Sequence, residues 1–155
     1  GGMMQNAFEY IISNKGIDTE ASYPYEAQNG QCRFKRADVG ATIDGYEFVP
    51  RDSDQMKAYL ANKGPISVAM DAATWQFYWG GVVYWPCGTT LDHGILIVGY
   101  DTETDILGQT MPYWIVKNSW GPDWGEDGYI YIERGNIENE CGIEQYPISS
   151  YIKNN

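Results

Sequence analysis

This 155-residue sequence is poor in positive charge and nearly without histidine. Ten Lys and Arg stand against 21 Asp and Glu, and His93 is the single imidazole. The net charge of −11 repels phosphate backbones and anionic lipid, which argues against nucleic-acid and membrane-surface roles. No run approaches the roughly 18 apolar residues needed to cross a bilayer. No charged-then-apolar secretory leader is visible, and the chain opens with Gly1-Gly2 and no initiator Met, so we expect the natural N-terminus to be missing. There is no N-x-Ser/Thr sequon, internal repeat or low-complexity tract. The three cysteines, Cys32, Cys87 and Cys141, form no C-x-x-C pair, and one histidine leaves too few ligands for a typical zinc site. No metal or other cofactor is therefore expected. An odd cysteine count in a chain of this kind favours a disulfide, an oxidising compartment and one thiol with its partner elsewhere.

What is present suits a globular core: 43% hydrophobic residues, 20% charged, 15% aromatic and 18 Gly. MMQNAFEYIISNKG carries Met4, Phe8, Ile11 and Ile12 at three- and four-residue steps, which predicts an amphipathic helix stopped at Gly16. SDQMKAYLANKG predicts a second helix, capped by Ser53, burying Met56, Tyr59 and Leu60 and ending at Gly64-Pro65. PISVAMDA, GGVVYW, HGILIVGY, MPYWIVKNSW and DGYIYIERG are short, β-branched or aromatic, and separated by turn formers. In the last, Ile130 and Ile132 alternate with Tyr129 and Tyr131. Helices first and strands later predict an α+β chain with a C-terminal antiparallel barrel or curled sheet.

The strands around His93 carry the chemistry. If HGILIVGY and PYWIVKNSW pair through the acidic loop DTETDILGQT, with His93 opposite Asn118, residue 95 faces 116 and 97 faces 114. Ile95, Ile97, Trp114 and Val116 then share one buried face with His93 and Asn118 at its open end. The Asn carboxamide oxygen can accept a hydrogen bond from one ring nitrogen, fixing the tautomer and aiming the other outward. A base oriented in this way is half of a nucleophilic catalytic device. Asp101, Glu103 and Asp105 resemble the start of a calcium loop, but Ile106 and Pro112 occupy the positions that need Gly and bidentate Glu, which argues against calcium.

LDHGILIVGY followed by PYWIVKNSWGPDWGEDGYIYIERG resembles the papain-like cysteine peptidases of the cathepsin L type. GGMMQNAF, YPYEAQNGQC, GPISVAMDA and ECGI fit the same family in the same order, so the resemblance covers nearly the whole chain. It implies a papain-like fold, with residues 1 to about 45 as the remainder of a helical lobe and about 46 to 155 as a mainly β lobe. It implies cysteine-type endopeptidase chemistry through a Cys-His-Asn arrangement. His93 would be the imidazole, Asn118 its orienting carboxamide and Trp120 the indole covering their hydrogen bond. The family's nucleophile belongs to an upstream C-G-[SA]-C-[WY] motif that these residues lack, so the isolated chain is expected to be inactive. The resemblance pairs Cys87 with Cys141, and Cys32 with a segment preceding Gly1. It carries substrate contacts onto Gly2, Asp92 and Trp124, and onto Met3, Met4, Ala69, Leu91 and Tyr146 as an apolar pocket for the second residue before the cleaved bond. Tyr146 at the pocket floor would favour Leu or Val over Phe. Polypeptides are the implied partners, and lysosome, vacuole or the extracellular space the implied location. Two readings compete with this one. The first is a catalytically inactive papain-like binding domain. The second is a sugar-binding β-module using Trp120 and Trp124, which leaves His93 without a role.

Overall fold

The computed structural model describes residues 1–83, 85–135 and 141–153, so Tyr84 of the GGVVYW run and Glu140 of ECGI lie outside the described residues. The fold is α+β. Its elements are α1 (Met4–Asn14), β1 (Ile17–Asp18), β2 (Val39–Ala41), β3 (Gly45–Phe48), α2 (Ser53–Asn62), β4 (Ile66–Met70), β5 (Val82–Val83), β6 (His93–Thr104), β7 (Thr110–Lys117), β8 (Tyr129–Glu133) and β9 (Ile148–Tyr151). β1 pairs with β2, and the other seven strands form one sheet in the order β3-β9-β4-β6-β7-β8-β5. Of the expected barrel or curled sheet, the closed barrel is not formed: the order begins at β3 and ends at β5 without returning. The ladders β4–β9, β4–β6, β6–β7 and β7–β8 are antiparallel, and β5–β8 is parallel. The chain divides into two compact units, residues 48–149 and residues 1–47 with 150–155.

Residues 48–149 are organised by alternation. On β4, Ile66, Val68 and Met70 point inward, opposite Ile97, Ile95 and His93 of β6. Ile97 lies opposite Val116 of β7, which lies opposite Ile130 of β8. Ile66, Ile97, Val116 and Ile130 thus form a row across four strands, each fully buried. At roughly 1.5–3 kcal/mol per side chain, exposing this row by a one-residue slip would cost about 6–12 kcal/mol, comparable to the whole stability of a typical domain. Met56 and Leu60 of α2 close the same core. The cap of α2 is Asp52, whose carboxylate accepts the Gln55 N–H at 2.9 Å, and not Ser53. Ser53 is the first helical residue, and the carboxylate one position earlier reaches the free amide with full charge.

The β6–β7 register differs from the expected one. Ile97, not Ile95, faces Val116, and Trp114 faces Tyr100. The first difference is a shift of two, which keeps every side chain on its expected face. The second comes from a bulge between Ile97 and Gly99 that leaves Val98 out of the pairing. The acidic loop is also shorter than DTETDILGQT suggests. Thr102 and Thr104 extend β6, and Asp105 closes the turn by accepting the Leu107 and Gln109 N–H groups at 2.8 Å each.

In residues 1–47, α1 buries no residue fully. Phe8 stacks on Tyr46 at 6.0 Å, and the Tyr46 hydroxyl donates to Glu9 at 2.7 Å. The left-handed residue that stops α1 is Lys15 (φ 61°), one place before Gly16. Lys15 N–H donates to Ile12 and Gly16 N–H to Ile11, the reciprocal pair that satisfies the last carbonyls of a helix. Gly16 is required for a different reason: a Cβ there would meet the Val39 side chain at 2.5 Å. A cleft of about 690 Å³ in this unit is lined by Tyr10, Asp18, Tyr23, Arg33 and Phe34 among others.

Candidate active site

His93 opens β6, and Asn118 directly follows β7. The inward alternation of Trp114 and Val116 continues to position 118, so the carboxamide is drawn to the end of the core and is 9% exposed. His93 is half-buried at the matching end of the Ile95–Ile97 face. Its Nε2 lies 2.8 Å from Asn118 Oδ1. The same oxygen accepts the Ser119 backbone N–H at 2.8 Å, which fixes the carboxamide orientation. An oxygen that accepts both bonds requires the proton of a neutral imidazole on Nε2, so Nδ1 is the nitrogen able to take or give a proton.

Aromatic rings pack against the imidazole. The Trp120 indole sits 5.2 Å from the imidazole, tilted by 36°. Trp75 approaches the imidazole edge-on at 6.0 Å and 88°. Trp124 stacks on Trp75 at 6.3 Å, stands edge-on to Trp120 at 5.0 Å, and meets Tyr78 at 5.5 Å. Burial pushes the Tyr78 hydroxyl well above the ordinary tyrosine range, and that hydroxyl donates to the Gly81 carbonyl at 2.7 Å. Trp75 is 1% exposed and Trp120 42%, so the cluster has a buried wall and an open lid. An indole that shielded the imidazole–carboxamide bond from water would strengthen it. Sequence reasoning missed Trp75. It sits in a 3-10 turn, Trp75–Phe77, whose contact with position 93 is set by the sheet and leaves no local pattern. Trp120 and Trp124 stand at 77° to one another, with Trp124 half-buried, so they do not offer the flat paired face that sugar stacking needs.

The family model described as papain family cysteine protease matches residues 1–151. The chain belongs to the papain family of cysteine proteases. It is 51% identical over 154 residues to cysteine proteinase 1 of Dictyostelium discoideum, covering 98% of this chain and 44% of that protein. It is 50% identical over 148 residues to cathepsin L of Sarcophaga peregrina, covering 92% and 42%. Among solved structures it is similar to the bromelain protease of Ananas comosus in complex with the E64 inhibitor. That match has a TM-score of 0.86 and 43% identity, and covers 99% of this chain and 71% of that one. The chain spans less than half the length of the curated relatives it matches.

The papain-family positions distribute as follows. Leu91 and Asp92 directly precede His93, and Ala69 lies opposite Gly94 across the β4–β6 ladder. Leu91 packs on Gly142, where a Cβ would meet it at 2.7 Å. Tyr146 stands edge-on to Phe48 at 5.4 Å and 87°. Cys87 and Cys141 are disulfide-bonded. In the other unit, Met3 immediately precedes α1 and Met4 is its first residue, while Gly2 is exposed with open space where a side chain would be. Cys32 is free and exposed. The Phe34 backbone N–H, followed by the Tyr10 hydroxyl, holds its thiol below the ordinary range.

Proposed function

We propose that the complete protein is a papain-family cysteine endopeptidase to which these residues contribute the base and its orienting group, and a cysteine outside them the nucleophile. The observation that carries this is the His93 Nε2–Asn118 Oδ1 bond at 2.8 Å beside the Trp120 indole. His93 Nδ1 takes the thiol proton, and the thiolate attacks the peptide carbonyl carbon. The tetrahedral adduct collapses as the C–N bond breaks, and the imidazolium delivers its proton to the leaving amine. Water, deprotonated by the same nitrogen, then cleaves the thioester and regenerates the thiol. Cys87 and Cys141 are bonded to each other and Cys32 lies in no C-G-[SA]-C-[WY] motif, which supports the reading that residues 1–155 alone do not cleave peptides.

The substrates are polypeptides with an apolar residue two before the cleaved bond, received by Met3, Met4, Ala69, Leu91 and Tyr146. Phe48 braces the Tyr146 ring, which supports a short pocket that prefers Leu or Val to Phe. Gly2 and the Asp92 carbonyl bind substrate backbone, and Trp124 lies on the leaving-group side. Cys32, exposed and outside the Cys87–Cys141 disulfide, bonds to an upstream segment of the same protein. The Cys87–Cys141 disulfide supports an oxidising location, in lysosome, vacuole or secretion.

The test is cleavage of fluorogenic peptides bearing Leu, Val or Phe at the second position, with thiol alkylation, by the complete protein and its His93→Ala variant. Loss of both reactivities in the variant is expected. Wild-type rates in His93→Ala, or Ser or Gly at the nucleophile position upstream, overturn the proposal in favour of an inactive binding domain.

A further inference from the structure

We propose that Asp71 is a positioning residue for His93, holding the loop from which the imidazole emerges; this rests on the catalytic reading above. Asp71 follows the last residue of β4 and is 8% exposed, one of few buried charged side chains among the described residues. A buried carboxylate is costly to desolvate unless it accepts hydrogen bonds. This one accepts two, both from backbone. Its Oδ1 takes the Ala73 N–H and its Oδ2 the Thr90 N–H, each at 3.1 Å.

The second bond crosses to the loop that leads into β6. The β4–β6 ladder ends with Met70 opposite His93, and Asp92 N–H still donates to the Met70 carbonyl at 3.0 Å. Beyond that point main-chain pairing stops and two carboxylates take over reciprocally. Asp92 Oδ1 accepts the Ala72 N–H at 2.9 Å while Asp71 accepts that of Thr90. Strand ends fray because their last amides have no partner. Here both sides of the ladder are stitched for two further residues, and the imidazole sits at the stitched end. The remaining restraints converge on the same place. Asp71 N–H donates to the Cys141 carbonyl at 2.9 Å, and Cys141 is bonded to Cys87, where the 88–92 loop begins. A Cβ on Gly88 would overlap the Asp71 carboxylate, so the absence of a side chain at 88 lets the acid reach the loop.

The chemistry explains the residue type. Two N–H groups at separate places need two acceptor oxygens, which a carboxylate has and a carboxamide lacks. Asn would present its NH2 to one of the donors. Asp71 touches neither the imidazole nor, by this reading, the substrate; it acts through the path of residues 88–92. Misplacing a base by about 1 Å costs up to roughly a hundredfold in rate.

The experiment compares Asp71→Ala, Asp71→Asn and Gly88→Ala with wild type in the complete protein. It measures kcat per titrated active site, KM, melting temperature and the hydrogen-bonded imidazole N–H resonance assigned by its loss in His93→Ala. We expect kcat per site to fall by about ten- to a hundredfold in Asp71→Ala, and by less in Asp71→Asn. The proportional change in KM should be smaller, and the His93 resonance should shift or broaden in step. Gly88→Ala should reproduce the effect by displacing the carboxylate, and with Asp71→Asn it carries the test if Asp71→Ala does not fold. Lower melting temperatures with kcat per site and the His93 signal unchanged would make Asp71 merely structural and overturn the proposal. If the wild-type complete protein cleaves no peptide, the catalytic reading fails; the positioning claim is then decided by the His93 resonance, and an unmoved signal in Asp71→Ala and Gly88→Ala refutes it.

Discussion

The two units of this chain solve the problem of apolar surface differently. Every hydrophobic side chain that is fully buried among the described residues belongs to residues 48–149, while α1 in residues 1–47 buries none. The larger unit has an alternating sheet closed by α2, so its stability comes from side chains removed from water. The smaller unit shows more exposed contacts: the reciprocal bonds at Lys15 and Gly16, the Phe8–Tyr46 stack, the Tyr46–Glu9 bond and the Arg33–Glu26 ion pair. Exposed ion pairs contribute little, about 0–1 kcal/mol. The imidazole and its carboxamide lie in the unit that is rigid by packing, where a 2.8 Å contact can be maintained.

The largest expected effect tests the functional half of this contrast. In the complete protein, His93→Ala should lower peptide cleavage on the order of a thousandfold. Amide hydrogen exchange in both units should stay unchanged, since the ring closes no core. The next compares the cores. Trp114→Ala should cost about 3–5 kcal/mol, read from the exchange of β6 and β7 amides, whereas Phe8→Ala should cost no more than about 1 kcal/mol, read from the exchange of α1 amides. Equal costs would break the contrast. Smaller again, Trp120→Ala should lower kcat about tenfold, roughly the net worth of one hydrogen bond now open to water, with little change in melting temperature. The smallest is Asp52→Ala, which should remove about 1 kcal/mol by uncapping α2, seen as a modest shift in the denaturation midpoint.

Much of the larger unit was legible because its pattern is local. The alternation of Ile130 and Ile132 with tyrosines and the apolar stripe at Met56 and Leu60 predict the buried faces found. His93 and Asn118 meet although the assumed register was off by two, because pleat parity survives an even shift. What escaped was non-local or depended on neighbouring equals. Asp52, Ser53 and Asp54 all offer cap chemistry, and only geometry chooses between them. Trp75 reaches His93 through the sheet, and Asp71 reads in sequence as an ordinary acid after a strand. The strands β3 and β9, four residues each, are too short to show a clear alternation.

The bulge at Val98 divides the β6–β7 hairpin into two segments with independent bookkeeping. Distal to it, between Gly99 and Ile115, residues can be added or removed in the turn at Asp105–Gln109 without rotating anything at the base. Proximal to it, from His93 to Ile97, a single insertion would swing the imidazole to the opposite side of the sheet. Sequence drift in length is therefore permitted at one end of this ribbon and forbidden at the other.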